Sequence, residues 1–442
     1  MVVVAFVLII LLSVIDNSFS SALFLMMTYF VGIGLTFSLP NRSRSRGRKV
    51  FDIVFFIYII VAFIVSRSFS ISDHFMVSDS SRYIESYINR ISFYYVKQDF
   101  IDCYLHFSDS NILYNAYLNA MAMFVNTHLD GMTIYGMTLL QTVWGILSSI
   151  ILYRILSRHF KEEKASYYTL VFALCSLFLF YSTIIIRDII ICFLYLCIFD
   201  VVDQKFSLTG LVKLIIFMIL AWGVRLYSGL FLITFIAYYL YIRFRTSRLK
   251  YIAIILFVVG MVLVVRVLFT SFLMEQTTAE LQGYEELSAE RSAGGIVSKL
   301  QTLPSGFSHF AIVLFTMIRP MPPLGIYFGV QTFSHIVMSS MFLIAGFFWF
   351  VVFYSLCYQL FLKKYFFKIP FEQVALLLIC LMFMLANAFH PDIRRMLPVF
   401  PILFVQFTKI CETEKVKLFR SRISKYLMIF YVVMAFGMLV VM

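Results

Sequence analysis

Long apolar runs separated by short basic clusters set the pattern of this chain. Most of the runs are about 14 to 22 residues long, near the length at which an α-helix crosses a bilayer, whereas a barrel strand would show about 10 alternating residues. In order they are Met1 to Ile15, Ala22 to Leu39, Phe51 to Ser66, Met132 to Tyr153, Tyr167 to Ile186, Ile189 to Val202, Leu211 to Val224, Leu226 to Ile242, Tyr251 to Thr270, Phe333 to Phe361, Phe371 to Phe389, Leu397 to Phe407 and Leu427 to Met442. The expected fold is an all-α polytopic integral membrane protein, a single domain of about 13 transmembrane helices.

Two intervals interrupt the pattern. Arg67 to Asp130 is the longest polar stretch, and Ser271 to Gln331 holds an acidic run from Glu275 to Glu290, Gly294-Gly295 and the Arg319-Pro320-Met321-Pro322-Pro323 sequence. Within the second, Phe307 to Ile318 is apolar but too short to cross, which suggests a re-entrant or interfacial piece. The first must lie outside the lipid.

Composition agrees with lipid as the solvent. The 442 residues are 62% hydrophobic and 13% charged, against roughly 25% charged in a soluble domain. The formal charge of +13 would draw nucleic acid if it formed one face, but most of the Lys and Arg lie between apolar runs, at Arg42 to Lys49, Arg154 to Lys164, Lys205 to Lys213, Arg243 to Lys250, Lys363 to Lys368 and Lys409 to Lys425. Placing these loops in the cytoplasm satisfies the positive-inside rule. The N-terminus is then inside, and both long intervals and the C-terminus are outside. Met1 to Ile15 lacks a basic leader and a small-residue cleavage site, so it reads as a retained first span. The seven cysteines show no metal spacing and no disulfide framework.

The basic residues that topology leaves over fall on the outer side. Arg187, Arg225, Arg319, Arg394 and Arg395 have little loop around them, so their guanidinium groups lie at or just below the membrane surface, where charge is costly. A guanidinium presents a planar fork of donors that matches phosphate oxygens, which makes these five candidate clamps for a lipid-linked diphosphate; snorkelling, or pairing with Asp188 or Asp392, is the alternative. In the first interval Ser78 or Ser80 can cap a helix that lines up Asp79, Tyr83 and Tyr87 on one face. Asp79 is a candidate base for a sugar hydroxyl, and the two tyrosines are candidate platforms for the sugar's apolar face, although interfacial tyrosines and a helix-start acid need no chemical role. His390, beside Pro391 and Asp392, is a second candidate base. No phosphate-binding glycine loop, zinc spacing or nucleophile elbow occurs, and no acidic cluster demands a metal, so no cofactor is expected.

Asp79 followed by Tyr83, then Asn111-Ile112-Leu113-Tyr114 leading into the next helix, Arg187-Asp188, Arg225, and Arg394-Arg395-Met396-Leu397-Pro398 late in the chain form a layout that resembles the bacterial O-antigen and capsule repeat-unit polymerases of the Wzy type and the related EpsG-type exopolysaccharide proteins. The resemblance covers most of the length by layout rather than by a strict signature. It implies a multi-span C-type glycosyltransferase at the outer, periplasmic face of the bacterial inner membrane, moving a growing glycan from undecaprenyl diphosphate onto another undecaprenyl-linked repeat unit. It also implies lipid-linked donor and acceptor glycans and a chain-length regulator as partners, and matches Asp79 to the family's first-loop acid and Arg187, Arg225 and Arg394 to its outer arginines. The length of Ser271 to Gln331 departs from that layout. A glycan ligase or single-addition lipid-sugar transferase, and a lipid-linked-oligosaccharide flippase, are the rival expectations; the sequence shows no internal repeat of the kind many transporters carry.

Overall fold

The computed structural model describes residues 2–67, 112–244, 251, 255, 299–300, 303, 305–318, 333–388, 393–413 and 422–441. Among them there is no strand. The helices are α1 (Val2–Asp16), α2 (Phe19–Phe37), α3 (Asn41–Ser66), α4 (Ile112–His128), α5 (Ile134–His159), α6 (Glu162–Cys175), α7 (Leu177–Ser182), α8 (Asp188–Val202), α9 (Leu208–Val224), α10 (Leu226–Phe244), α11 (Ser305–Ile318), α12 (Phe333–Cys357), α13 (Phe371–Ala386), α14 (Phe400–Thr413) and α15 (Arg422–Val441), with a 3-10 stretch at Ile393–Val399 leading into α14. Five helical stretches among these residues are long and apolar enough to cross a membrane: Phe19–Phe37, Asn41–Ser66, Ile134–His159, Ile336–Leu362 and Ile393–Thr413. This is an all-α protein of membrane character.

α5 is the central post, packed against α2, α3, α6 and α8. Peripheral helices keep apolar residues on their outer faces, such as Val3, Val7, Ile10 and Val14 of α1 and Leu208, Val212, Ile215 and Ile219 of α9. In water such faces would be a liability; in lipid they cost nothing.

Ion pairs sort the helix ends into two groups. At one end Arg46 meets Glu162 and Glu163, Lys164 meets Glu412, Lys409 meets Asp203, and Arg158 reaches both Asp200, at 2.6 Å, and Asp203. At the other end Arg67 pairs with Asp16 at 3.1 Å, the Asp130 carboxylate accepts the backbone N–H groups of Phe19 and Ser20 at the start of α2, and the Asp16 carboxylate accepts from the hydroxyls of Ser21 and Thr133. These contacts tie the α1–α2 turn to the α4–α5 link. The α2 start is thereby capped by an acid more than a hundred residues away, since free helix N–H groups need an acceptor.

Three departures from the expected spans bear on function. The interval from Arg67 to Asp130 ends in a helix, α4, whose buried face carries Tyr114, Leu118, Ala122 and Val125. α3 begins well before Phe51, taking the Arg42 to Lys49 cluster into its first turns. Tyr167 to Ile186 is not one continuous helix. At Ser176 the backbone turns extended, with φ −103° and ψ 167°, and the Ser176 hydroxyl accepts from Phe178 N–H to cap the short α7. After α7 the chain runs irregularly through Thr183 to Ile186, all buried, before α8 begins. Such backbone survives in an apolar setting only where protein groups satisfy it: the Thr142 hydroxyl on α5 donates to Ser182 C=O at 3.0 Å. Gly145 allows this approach, because a Cβ there would overlap the Ser182 side chain.

Candidate functional site

The broken segment delivers Arg187 and Asp188 to the start of α8. Arg187 takes the N-cap position, and Asp188 occupies the first turn, where a carboxylate faces the positive end of the helix dipole. Arg225 is placed by a different device. It is the C-cap of α9, where its N–H still donates to Ala221 C=O at 2.9 Å while its own backbone turns extended, so that α10 starts at the next residue. The two helix ends meet: Arg225 Nη1 lies 2.6 Å from Asp188 Oδ1, with Asp188 1% and Arg225 3% exposed.

The 3-10 stretch Ile393–Val399 packs along α8 and carries two further arginines whose charges act on the same carboxylate. Arg395 is buried and Arg394 partly so. Burial opposes the charged form of Asp188, and the charges of Arg225, Arg394, Arg187 and Arg395 oppose that effect. Four of the five sequence-expected arginines are thus gathered from three separate regions around one acid. Asp79, Tyr83, Tyr87, Arg319 and His390 lie outside the described residues.

The first long interval returns to this site through α4. α4 packs against α9, and Leu113 sits so close to Gly223 that a Cβ on the glycine would overlap it. Gly223 is two residues before Arg225, so the chain following the Asp79-containing stretch comes back beside the arginine cluster.

Chemically, the arrangement is a buried cluster of guanidinium groups around one acid. Guanidinium groups fixed by helix ends need little reorganisation when an anion arrives, and their attraction for it is stronger in a low-dielectric setting than in water. Among the described residues no group of three or more His, Cys, Asp and Glu is placed to hold a metal ion. For Arg225 the expected alternative, pairing with Asp188, is what the structure shows, and Asp188 is the acid around which the cluster is built. Its signal was present: an Arg-Asp pair in a nearly loopless hairpin between apolar runs. A comparison of the chain with family models, curated proteins and solved structures gives no match.

Proposed function

We propose that this chain is a membrane-embedded glycosyltransferase that polymerises undecaprenyl-diphosphate-linked repeat units at the periplasmic face of the bacterial inner membrane. The observation that carries the reading is the convergence of Arg187, Arg225, Arg394 and Arg395 on Asp188. A diphosphate leaving group departs without a general acid when cations stabilise its developing charge. In this reading the arginines hold the donor diphosphate, Arg319 joins them from the second long interval, Asp79 or His390 takes the proton of the attacking sugar hydroxyl, and Tyr83 and Tyr87 stack on the sugar.

The end of the bundle that gathers Arg46, Arg154, Arg158 and Lys164 faces the cytoplasm in this topology, with about 13 spans and the N-terminus inside. Helix length then sets the depth of the site. α8 has 15 residues, or about 22 Å at 1.5 Å per residue, against a hydrocarbon thickness of about 30 Å. Its cytoplasmic end carries the Asp200 and Asp203 pairs, so Asp188 sits within the outer edge of the hydrocarbon. That is where the diphosphate of a polyprenyl lipid meets its tail. The return of α4 beside Arg225 supports a first interval that roofs the arginine cluster.

Complementation separates this reading from its rivals. Asp79→Asn and Arg187→Ala are expected to insert normally and to yield single-repeat glycans in place of a ladder. A normal ladder from both variants overturns the site assignment, and a product transferred to a lipid A core acceptor, with no ladder from the parent, points to a ligase.

A further inference from the structure

Gln141 of α5 is fully buried, at 0% exposure, and among the described residues neither its carboxamide oxygen nor its nitrogen has a hydrogen-bond partner. A buried amide left this way is expensive, and leucine of similar size would fill the space at lower cost. The residue therefore calls for an occupant that makes hydrogen bonds.

Its place in the fold identifies the neighbourhood. Side chains advance by about 100° per residue around a helix, so Gln141 points about 40° from Gly145 and about 60° from Trp144. Gly145 faces Ser182 at the end of α7, and the Trp144 ring meets Phe193 of α8 with centroids 5.0 Å apart. Gln141 is thus directed at the corner between α7 and α8, the corner whose linker ends in Arg187 just before Asp188 opens α8. α5 and α8 run in the same direction, since Trp144 meets Phe193, Arg154 meets Asp200 and Arg158 meets Asp203. Counting outward from the Trp144–Phe193 contact, Gln141 lies about 4.5 Å along α5 and Asp188 about 7.5 Å along α8, so the depth of Gln141 is within one turn of that of Asp188 and slightly below it.

We propose that Gln141 lies beneath the arginine cluster and donates to the lipid-proximal phosphate of a phosphate-headed lipid, an inference that rests on the lipid-diphosphate reading above. A neutral donor suits that depth. A further arginine would place an added charge nearer the hydrocarbon, whereas a carboxamide supplies N–H groups without one. The arginines grip the outer part of the head group and Gln141 registers the end that joins the tail.

The test uses the full-length protein in lipid nanodiscs, with polyprenyl diphosphate as the probe and inorganic pyrophosphate as the water-borne control. Gln141→Leu is expected to bind the lipid about ten-fold more weakly, the scale of one hydrogen bond to a charged group, and to unfold at a higher temperature than the parent in the absence of probe. Gln141→Met, which keeps an unbranched chain, should behave in the same way, and Gln141→Glu should weaken binding further by setting a carboxylate against the phosphate. Pyrophosphate is expected to compete poorly; competition as strong as the lipid's overturns the lipid assignment. Unchanged lipid affinity in both apolar variants, or a fall in their thermal stability without probe, overturns the role given to Gln141. If the parent itself does not bind polyprenyl diphosphate, the lipid-diphosphate reading fails first and takes this inference with it, an outcome distinct from a parent that binds and variants that bind equally well.

Discussion

Arg225 and Asp188 meet at 2.6 Å where the end of α9 reaches the start of α8, and both are almost wholly buried. Neither residue could occupy its position alone. An isolated ion so buried would carry a desolvation cost of several kcal/mol, while the pair has the charges of Arg187, Arg394 and Arg395 around it. The acid holds the guanidinium groups in place and moderates their mutual repulsion.

Breaking this pair should therefore cost stability as well as activity. Arg225→Ala or Asp188→Ala is expected to destabilise the protein by about 3–5 kcal/mol, because each leaves a buried charge with its closest partner removed. The double variant Asp188→Leu with Arg225→Met should recover most of that stability and none of the activity. Thermal unfolding in detergent, alongside glycan analysis in cells, separates the two effects; equal losses in single and double variants would show that the pair is not the coupled unit described.

The α4–α9 contact supplies a second expectation. Gly223→Val would force Leu113 aside and push α4 from α9, disturbing the approach of the first long interval to Arg225. The ladder should shorten, and Leu113→Ala added to Gly223→Val should restore it by reopening the space. Because the rescue removes volume at a distance in sequence, failure of the double variant to recover would count against the contact as the link between loop and site.

At the opposite end, the Asp203 carboxyl is under opposing influences. Burial pushes its pKa up, but the hydrogen bond from His159 and the charges of Lys409, His159 and Arg158 outweigh burial and hold it below the usual carboxylate range. A depressed carboxylate contributes stability that is fully present above the unfolded pKa, roughly 4, and is lost as pH falls through the folded value. Asp203→Asn should lower stability at neutral pH and flatten the acid limb of a stability-against-pH curve, measured from pH 7 downward. An acid limb identical to the parent's would show that Asp203 does not carry the linkage.

Much of the helical layout was legible because lipid imposes it: apolar runs such as Leu226 to Ile242 reappear as helices with ends shifted by a few residues. The break at Ser176 was not legible. The local sequence from Tyr167 to Ile186 is continuously apolar, and the stop depends on a serine cap together with Thr142 and Gly145 of a distant helix. α4 hid in the longest polar interval because Asn115, Asn119 and Asn126 dilute its hydropathy, although Tyr114, Leu118, Ala122 and Val125 keep the helical spacing. The leftover arginines were visible one at a time from the charge map. Their meeting point was not, because residues 187, 225 and 394–395 share no local pattern, only a position at helix ends that tertiary packing brings together. Gln141 gave no sequence signal, since one amide on a long apolar helix is unremarkable until its surroundings are known.

The arginine cluster is proposed to act on a lipid-diphosphate-linked glycan. The most direct measurement is product length from the purified protein in lipid, supplied with one defined undecaprenyl-diphosphate-linked repeat unit, for the parent and for Arg187→Ala and Arg394→Ala. The parent should give a ladder of repeats with release of undecaprenyl diphosphate, and the variants should leave the substrate unextended while remaining folded. A parent that releases no undecaprenyl diphosphate and forms no product longer than the supplied unit, or variants that extend it as well as the parent does, would contradict the account.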